Sequence, residues 1–250
     1  MTTGTAFVEQ WFEPDPASAG SARSFVVSQV AGELGEAADI FTLAVSEVVT
    51  NAILHAATPF RVRVASTDDA VRVEVFDSSP GTPIRKEFEP HAVTGRGLGI
   101  VDQIAESWGV TPAHDGKTVW FEMPLTDPAG PAGASDTPDP VGLSAEVHTS
   151  DRPDVTLTPS GDLDLQSGPR LREQLAELLD QGAHRVVVDL ADVTFIDSAG
   201  LSVLIVARQQ YQAAGASMSA LVPSYLRRTF EIAGILDLLD APEAAGGNAA

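Results

Sequence analysis

The clearest pattern in the chain is a run of apolar residues at helical spacing between Ala44 and Ala57. In this segment, AVSEVVTNAILHAA, the apolar side chains form one stripe, as expected for a helix that packs on a core. Glu47, Asn51 and His55 follow one another at intervals of four residues, so they lie along one edge of that stripe. A carboxylate there can take a proton and a carboxamide can bind Mg²⁺. The same spacing also fits an ordinary solvated helix edge. We expect His55 to be a packed histidine.

Alternation of apolar and polar residues predicts strands on either side of this helix. Residues 60–65 and 71–76 alternate valines with charged residues, so each strand has one buried and one wet face. Four further elements are predicted in this half. They are two strands, residues 6–12 and 118–123, and two helices, residues 17–34 and 98–107. The sequence therefore predicts helices on one face of a small mixed sheet, a two-layer α/β sandwich.

A segment rich in proline and glycine, residues 126–142, reads as a linker to a second α/β region. Strands are predicted there at residues 155–159, 185–190 and 217–222, and helices at residues 169–179 and 225–233. Residues 195–200 turn from the end of a strand into a further helix that runs to about residue 214. Because the two halves share no repeat, we expect two different domains. The predicted boundaries are residues 1–125 for the first domain, 143–243 for the second and 244–250 for a disordered tail.

Charge and cysteine content narrow the function classes. The net charge of −20 disfavours nucleic acid and anionic membranes as partners. The chain has no cysteine, which excludes disulfides and thiolate metal sites. Its first residues lack the basic and apolar regions of a signal peptide, and no stretch has the length of a membrane span. We therefore expect a soluble cytoplasmic protein.

Four motifs in the first half occur in a specific order. They are Glu47 with Asn51, the run Asp-Ser-Ser-Pro-Gly at residues 77–81, the run GRGLG at residues 95–99, and GKT at residues 116–118. Together they resemble the ATP site of the GHKL ATPases, and most of all the small anti-sigma-factor serine kinases, over residues 6–125. The resemblance implies the fold of that family, binding of ATP and Mg²⁺, and protein serine/threonine kinase activity. The run at residues 77–81 departs from the family's Asp-x-Gly-x-Gly because its first glycine is missing.

The resemblance also implies a role for each matching position. Glu47 would activate the attacking hydroxyl, and Asn51 would bind Mg²⁺ between the phosphates. Asp77 would accept the adenine amine, and Thr118 would line the nucleotide pocket. The remaining cofactor-binding positions lie in the two glycine-containing runs, whose backbone and charge would approach the phosphates: Gly81, Gly95, Arg96, Gly97, Leu98 and Gly99.

The second half carries two motifs of its own. They are GDLD at residues 161–164, and VDL at residues 188–190 followed by FIDSAGL at residues 195–201. These resemble the STAS domain, the fold of anti-sigma-factor antagonists, over residues 143–240. In that family the serine after the aspartate is phosphorylated by the cognate kinase, which maps onto Ser198. The position suits a phosphate because a strand gives way to a helix there, although an ordinary helix cap beside Asp197 fits equally well.

Four residues near Ser198 are candidates for a docking surface. Asp162 and Asp164 either shape its acidic rim or cap the following helix. Asp197 and Gly200 belong to the same face, where Gly200 would let another backbone approach.

The combination implies a bacterial partner-switching regulator of a sigma factor. Its N-terminal domain would phosphorylate a serine of a STAS protein, and its C-terminal domain would be such a protein. The linker would hold the two at effectively millimolar concentration, and a phosphate would add about −1.5 to −2 charge to the docking face. The implied partners are an anti-sigma-factor kinase, a STAS protein and a sigma factor, with a homodimer through the N-terminal domain. The alternatives are a non-enzymatic nucleotide-sensing pseudokinase with a STAS docking module, and an ATPase that its STAS domain only targets.

Overall fold

The computed structural model describes residues 7–30, 33–67, 69–79, 97–125, 144–149 and 154–235. These residues form two compact units. The predicted linker, the predicted tail and three candidate site residues, Gly81, Gly95 and Arg96, lie outside the described residues. The exact domain boundaries therefore stay predictions.

The first unit is a five-stranded sheet with helices on one face. The elements in chain order are β1 (Phe7–Phe12), α1 (Ala17–Gln29), a 3₁₀ turn (Gly35–Ala37), α2 (Ala38–Ala56), β2 (Phe60–Ser66), β3 (Ala70–Asp77), α3 (Gly97–Ile104), β4 (Ser107–Ala113) and β5 (Gly116–Pro124). The strands have the order β1-β2-β3-β5-β4, and all these neighbours pair antiparallel, so the prediction of a mixed sheet is wrong. Short connections join β2 to β3 and β4 to β5, and such hairpins pair antiparallel.

The core of this unit lies between the sheet and α2. The central strands bury every second side chain, as the alternation predicts. Phe41 of α2 meets Phe121 of β5 edge to face, with ring centroids 5.8 Å apart. The apolar stripe of α2 is fully buried at Val45 and Val49. The helical pattern thus identified the helix that covers the sheet.

Strand β4 was not predicted. Its sequence, SWGVTPA, lacks alternation and contains Gly109 and Pro112, both poor strand formers. A Cβ on Gly109 would lie 2.8 Å from the Trp120 ring, so the glycine lets that ring pack across the edge strand. Because Ser107 begins β4, the preceding helix ends at Ile104, earlier than predicted.

The second unit is a mixed α/β layer. The elements are β6 (Ser144–Thr149), β7 (Asp154–Leu163), α4 (Gly168–Asp180), β8 (Arg185–Asp189), β9 (Asp192–Ile196), α5 (Ser198–Ala213), β10 (Ser217–Leu221) and α6 (Ser224–Ile232). Strand β8 pairs in parallel with β7 and with β10, β9 pairs in parallel with β7, and β6 adds an antiparallel edge. The core combines strand residues such as Leu157 and Val188 with helix residues such as Leu204 and Phe230.

A buried tyrosine ties two helices of this unit together. Tyr211 of α5 is 1% exposed, and its hydroxyl donates to the Leu175 carbonyl oxygen of α4 at 2.8 Å. Burial raises the pKa of Tyr211 to about 12, because the phenolate would lose its hydration.

Candidate nucleotide site and candidate phosphorylation site

Glu47 lies on α2 with its side chain buried against the start of α3. It is 3% exposed, so a solvated helix edge does not describe it. A Cβ on Gly97 would collide with the Glu47 carboxylate oxygen Oε2 and would lie 3.5 Å from Cδ. The structure therefore brings together two predicted site residues from separate motifs. It also explains the glycine at position 97, where a larger residue would displace the carboxylate.

The next turns of α2 show a change in environment. Asn51 is half-buried, and its amide nitrogen Nδ2 is buried with no partner among the described residues; the same holds for the Thr50 hydroxyl. His55 is exposed, so the prediction of a packed histidine is wrong. Unpaired buried polar groups cost free energy, which points to a ligand or water beside this turn.

Asp77 ends β3 on the face of the sheet that the helices cover. It is fully buried, at 0% exposed. Its oxygen Oδ1 accepts from the Ser79 backbone N–H at 3.0 Å, from the Ser79 hydroxyl and from the Lys117 ammonium at 2.9 Å. Its oxygen Oδ2 is buried and has no partner in the described part of the chain. One carboxylate oxygen thus accepts three hydrogen bonds, and the other accepts none from the described residues.

Lys117, which was not predicted as a site residue, is the strand neighbour of Asp77. The two residues are directly opposite in the pairing of β3 with β5, so their side chains share a face. Lys117 is 6% exposed, and its ammonium also donates to the Ser79 hydroxyl. The signal was present in the sequence, because Val119, Phe121 and Met123 alternate with Lys117 on the buried side.

Thr118 lies on the opposite face of β5 from Asp77. It pairs with Phe76 and Thr111, and it shares its face with Trp120 and Glu122. Arg72 lies over the Trp120 ring at 3.9 Å on this open face. The structure thus does not bring Thr118 to Asp77, and Lys117 stands where the resemblance led us to expect a hydroxyl.

A second glycine, Gly116, allows the end of β3 and the start of β5 to approach closely. A Cβ on Gly116 would collide with the Asp77 carbonyl oxygen and would lie 2.8 Å from the Ser78 Cα. Only a residue without a side chain fits there, so Gly116 holds Lys117 in register with Asp77. At the other end of the site, Gly97, Leu98 and Gly99 form the half-exposed first turn of α3.

These features fit an adenine nucleotide. The open Asp77 oxygen can accept an exocyclic amine, and the α3 first turn offers backbone N–H groups to phosphates. The described residues contain no cluster of three or more His, Cys, Asp or Glu side chains that could hold a metal. Mg²⁺ would therefore rely on few protein ligands, Asn51 among them, together with phosphate oxygens, as this ion commonly does.

Ser198 is the first residue of α5 in the second unit. The cap of this helix is Asp197, whose Oδ1 accepts from the backbone N–H groups of Ala199 at 2.9 Å and Gly200 at 3.1 Å. Ser198 is half-buried and does not serve as the cap. Its place in the first helical turn suits a phosphate, because the positive end of the helix dipole lies there.

Three of the four candidate docking residues are buried and stabilise the fold of their own domain. Asp164 is 4% exposed and accepts from the backbone N–H groups of Gln166 and Ser167 at the entry to α4. Asp197, at 1% exposed, caps α5. A Cβ on Gly200 would collide with the Leu163 carbonyl oxygen, so the backbone that approaches this glycine belongs to the same domain and not to a partner.

Asp162 is the candidate that keeps some exposure. It is half-buried, and its Oδ1 accepts from the Thr194 hydroxyl at 2.7 Å, which links β7 to β9. Of the four docking candidates, only Asp162 therefore offers side-chain surface to a partner, beside the half-buried Ser198.

None of the helices in the described ranges is long and apolar enough to span a bilayer.

Comparisons with known proteins identify both halves. Residues 12–123 match the family model of the histidine kinase-like ATPase domain, and residues 144–244 match that of the STAS domain. The histidine kinase domain of a blue-light activated histidine kinase from Erythrobacter litoralis is 25% identical in sequence. That match covers 44% of this chain and 60% of the other, with a TM-score of 0.31.

Two curated relatives match the STAS half. The anti-sigma-B factor antagonist of Bacillus subtilis is 33% identical over 101 residues, which cover 40% of this chain and 91% of the relative. A putative anti-sigma factor antagonist, BtrV, of Bordetella bronchiseptica is 40% identical over 70 residues, which cover 28% of this chain and 60% of the relative. The chain thus belongs to the STAS family that includes the anti-sigma-factor antagonists, and a histidine kinase-like ATPase domain precedes its STAS domain.

Proposed function

We propose that this chain is a partner-switching regulator whose N-terminal domain transfers phosphate from ATP to a serine of a STAS domain, with Ser198 as the acceptor. The observation that carries the proposal is the buried Glu47 carboxylate held against Gly97 at the start of α3. A carboxylate beside the backbone turn that would cradle phosphates is placed to act as a base for phosphoryl transfer.

Each residue then has a chemical task. Glu47 takes the proton of the attacking serine hydroxyl, whose oxygen forms the new bond to the γ-phosphorus as the bond to the leaving ADP oxygen breaks. ATP with Mg²⁺ supplies the phosphoryl group and the charge neutralisation. Asn51 would hold the ion, and Asp77 would hold the base through Oδ2. The first turn of α3 donates backbone N–H groups to the phosphates.

Phosphorylation of Ser198 would change the docking surface by charge. A phosphate carries about −1.5 to −2 charge at neutral pH. It would stand next to the Asp197 carboxylate, on a chain whose net charge is already −20. A partner that binds the unmodified STAS surface would be released by this repulsion. The antagonist relatives in Bacillus and Bordetella support an anti-sigma factor as that partner, and a sigma factor as the protein it would free.

The test is intact-mass spectrometry after incubation with ATP and Mg²⁺. Wild type is expected to gain about 80 Da, one phosphoryl group. Glu47→Gln and Ser198→Ala are expected to gain nothing, and Ser202→Ala, one turn further along α5, serves as the matched control. Mixing Glu47→Gln with Ser198→Ala separates the routes, since a phosphate on Glu47→Gln shows transfer between molecules.

A second candidate is a nucleotide-binding protein without transferase activity. It is favoured by one observation, that Lys117 already pairs with the Asp77 carboxylate. Nucleotide binding without any phosphate on the chain, or on an added STAS protein, would support this candidate and refute the kinase.

A further inference from the structure

The Asp77–Lys117 pair leaves one acceptor and one donor unused side by side. The Lys117 ammonium has three N–H donors, and the described residues give it two acceptors, Asp77 Oδ1 and the Ser79 hydroxyl. Asp77 Oδ2 has no donor within those same residues, although the side chain is fully buried. Buried polar groups of this kind are normally satisfied. The arrangement therefore suits a flat ligand edge that carries a donor next to an acceptor.

We propose that Lys117 is a specificity-determining residue that contacts the nucleobase directly. Its free N–H donates to the ring nitrogen N1 of adenine, while Asp77 Oδ2 accepts from the neighbouring exocyclic amine. The proposal rests on nucleotide binding at this site, which belongs to the proposed function. It adds the Lys117 ammonium to the groups that recognise the base.

Three features of the structure support a fixed rather than a mobile lysine. Gly116 holds the strand end tightly against the Asp77 backbone, so Lys117 has no room to change register. Its side chain is 8% exposed, which limits the competition from bulk water for its N–H donors. The contacts to Asp77 and Ser79 orient the ammonium before any ligand binds, which lowers the entropic cost of recognition.

The chemistry predicts which bases are accepted. A 6-aminopurine presents a donor, N6–H, beside an acceptor, N1, and satisfies both protein groups. A 1-deazapurine replaces N1 by C–H, so the Lys117 donor stays unsatisfied. A 6-oxopurine places a carbonyl oxygen opposite Asp77 Oδ2, where two acceptors repel. Sites built to hydrogen-bond a ligand reject analogues that lack the partner group.

The experiment is competition against a fluorescent N-methylanthraniloyl ATP on the full wild-type chain. ATP is expected to compete about 10- to 100-fold more strongly than 1-deaza-ATP, the range for loss of a hydrogen bond to a charged group. GTP is expected to compete at least about 10-fold more weakly than ATP. Equal competition by ATP and 1-deaza-ATP, or by ATP and GTP, would overturn the proposal, because water would then be what satisfies the pair.

Two variants test whether the preference for ATP over 1-deaza-ATP depends on the Lys117 side chain. In Lys117→Met the preference for ATP over 1-deaza-ATP is expected to fall below about threefold, while Thr111→Ala on the open face keeps it. A preference that persists in Lys117→Met would contradict the assignment. If that variant fails to fold, the wild-type comparison of analogues still decides. Absence of any binding by the fluorescent ATP would refute the proposed function as well, whereas tight but indiscriminate binding would refute only the role of Lys117.

Discussion

Replacing Lys117 by methionine should strongly destabilise the first unit. Asp77 is fully buried, and Lys117 is the only cation that the described residues pair with it. Methionine keeps most of the side-chain volume and removes the charge. Breaking a buried ion pair by removing one partner costs about 3–5 kcal/mol, because the other charge stays buried. Since domains unfold with about 5–15 kcal/mol, the loss is a large fraction of the total free energy of unfolding.

The double variant Asp77→Asn/Lys117→Met separates the charge from the packing. It contains no buried charge, so its loss should be smaller than that of Lys117→Met alone, by about 2 kcal/mol or more. A surface pair gives the matched comparison. Arg72 and Glu122 are 2.8 Å apart on the open face with side chains 31% and 37% exposed, so Glu122→Gln should cost less than about 1 kcal/mol.

The assay is urea unfolding followed by tryptophan fluorescence. All three tryptophans, Trp11, Trp108 and Trp120, belong to the first unit, so the signal reports on that unit alone. The midpoint and slope give the free energy of unfolding for each variant. The reasoning would be refuted if Lys117→Met stayed within about 1 kcal/mol of wild type, or if the double variant were less stable than the single one.

Three further perturbations test other contacts. Gly97→Ala should place a methyl group against the Glu47 carboxylate and lower the free energy of unfolding of the first unit by about 1–3 kcal/mol in the same assay. Because the carboxylate is displaced, phosphorylation of Ser198 should be abolished. An unchanged urea midpoint would contradict this packing. Asp197→Ala should lower the free energy of unfolding of the second unit by about 0.5–2 kcal/mol, since two helix N–H groups lose their acceptor. The measurement is a urea titration followed by tyrosine absorbance. An unchanged free energy of unfolding would contradict the capping role and favour a docking role for Asp197. The pKa of Tyr211 is raised from 10.0 to about 12, so this tyrosine ionises first in the unfolded chain. Its contribution to stability should be constant below about pH 10 and be lost between pH 10 and 12, so over that range the stability of the second unit should fall less in Tyr211→Phe.

Much of this protein follows from local pattern alone. Alternation identified β2 and β3, and the apolar stripe identified α2, because each of these elements buries one face against the same core. The motif order identified both domains, as the matches to the ATPase and STAS models confirm. The missed strand β4 has no alternation, since it lies at the sheet edge and none of its residues is buried.

The chemistry of the candidate sites was decided by tertiary structure. Motif matching pointed to Thr118, but strand pairing places Lys117 on the face of Asp77, and side chains one position apart on a strand point in opposite directions. Likewise, Gly200 and Asp164 carry a motif that suggested docking, yet packing turns them inward, against Leu163 and the entry to α4. A sequence names the residues near a site, but whether a residue faces a ligand, a partner or its own core depends on which backbone lies across from it.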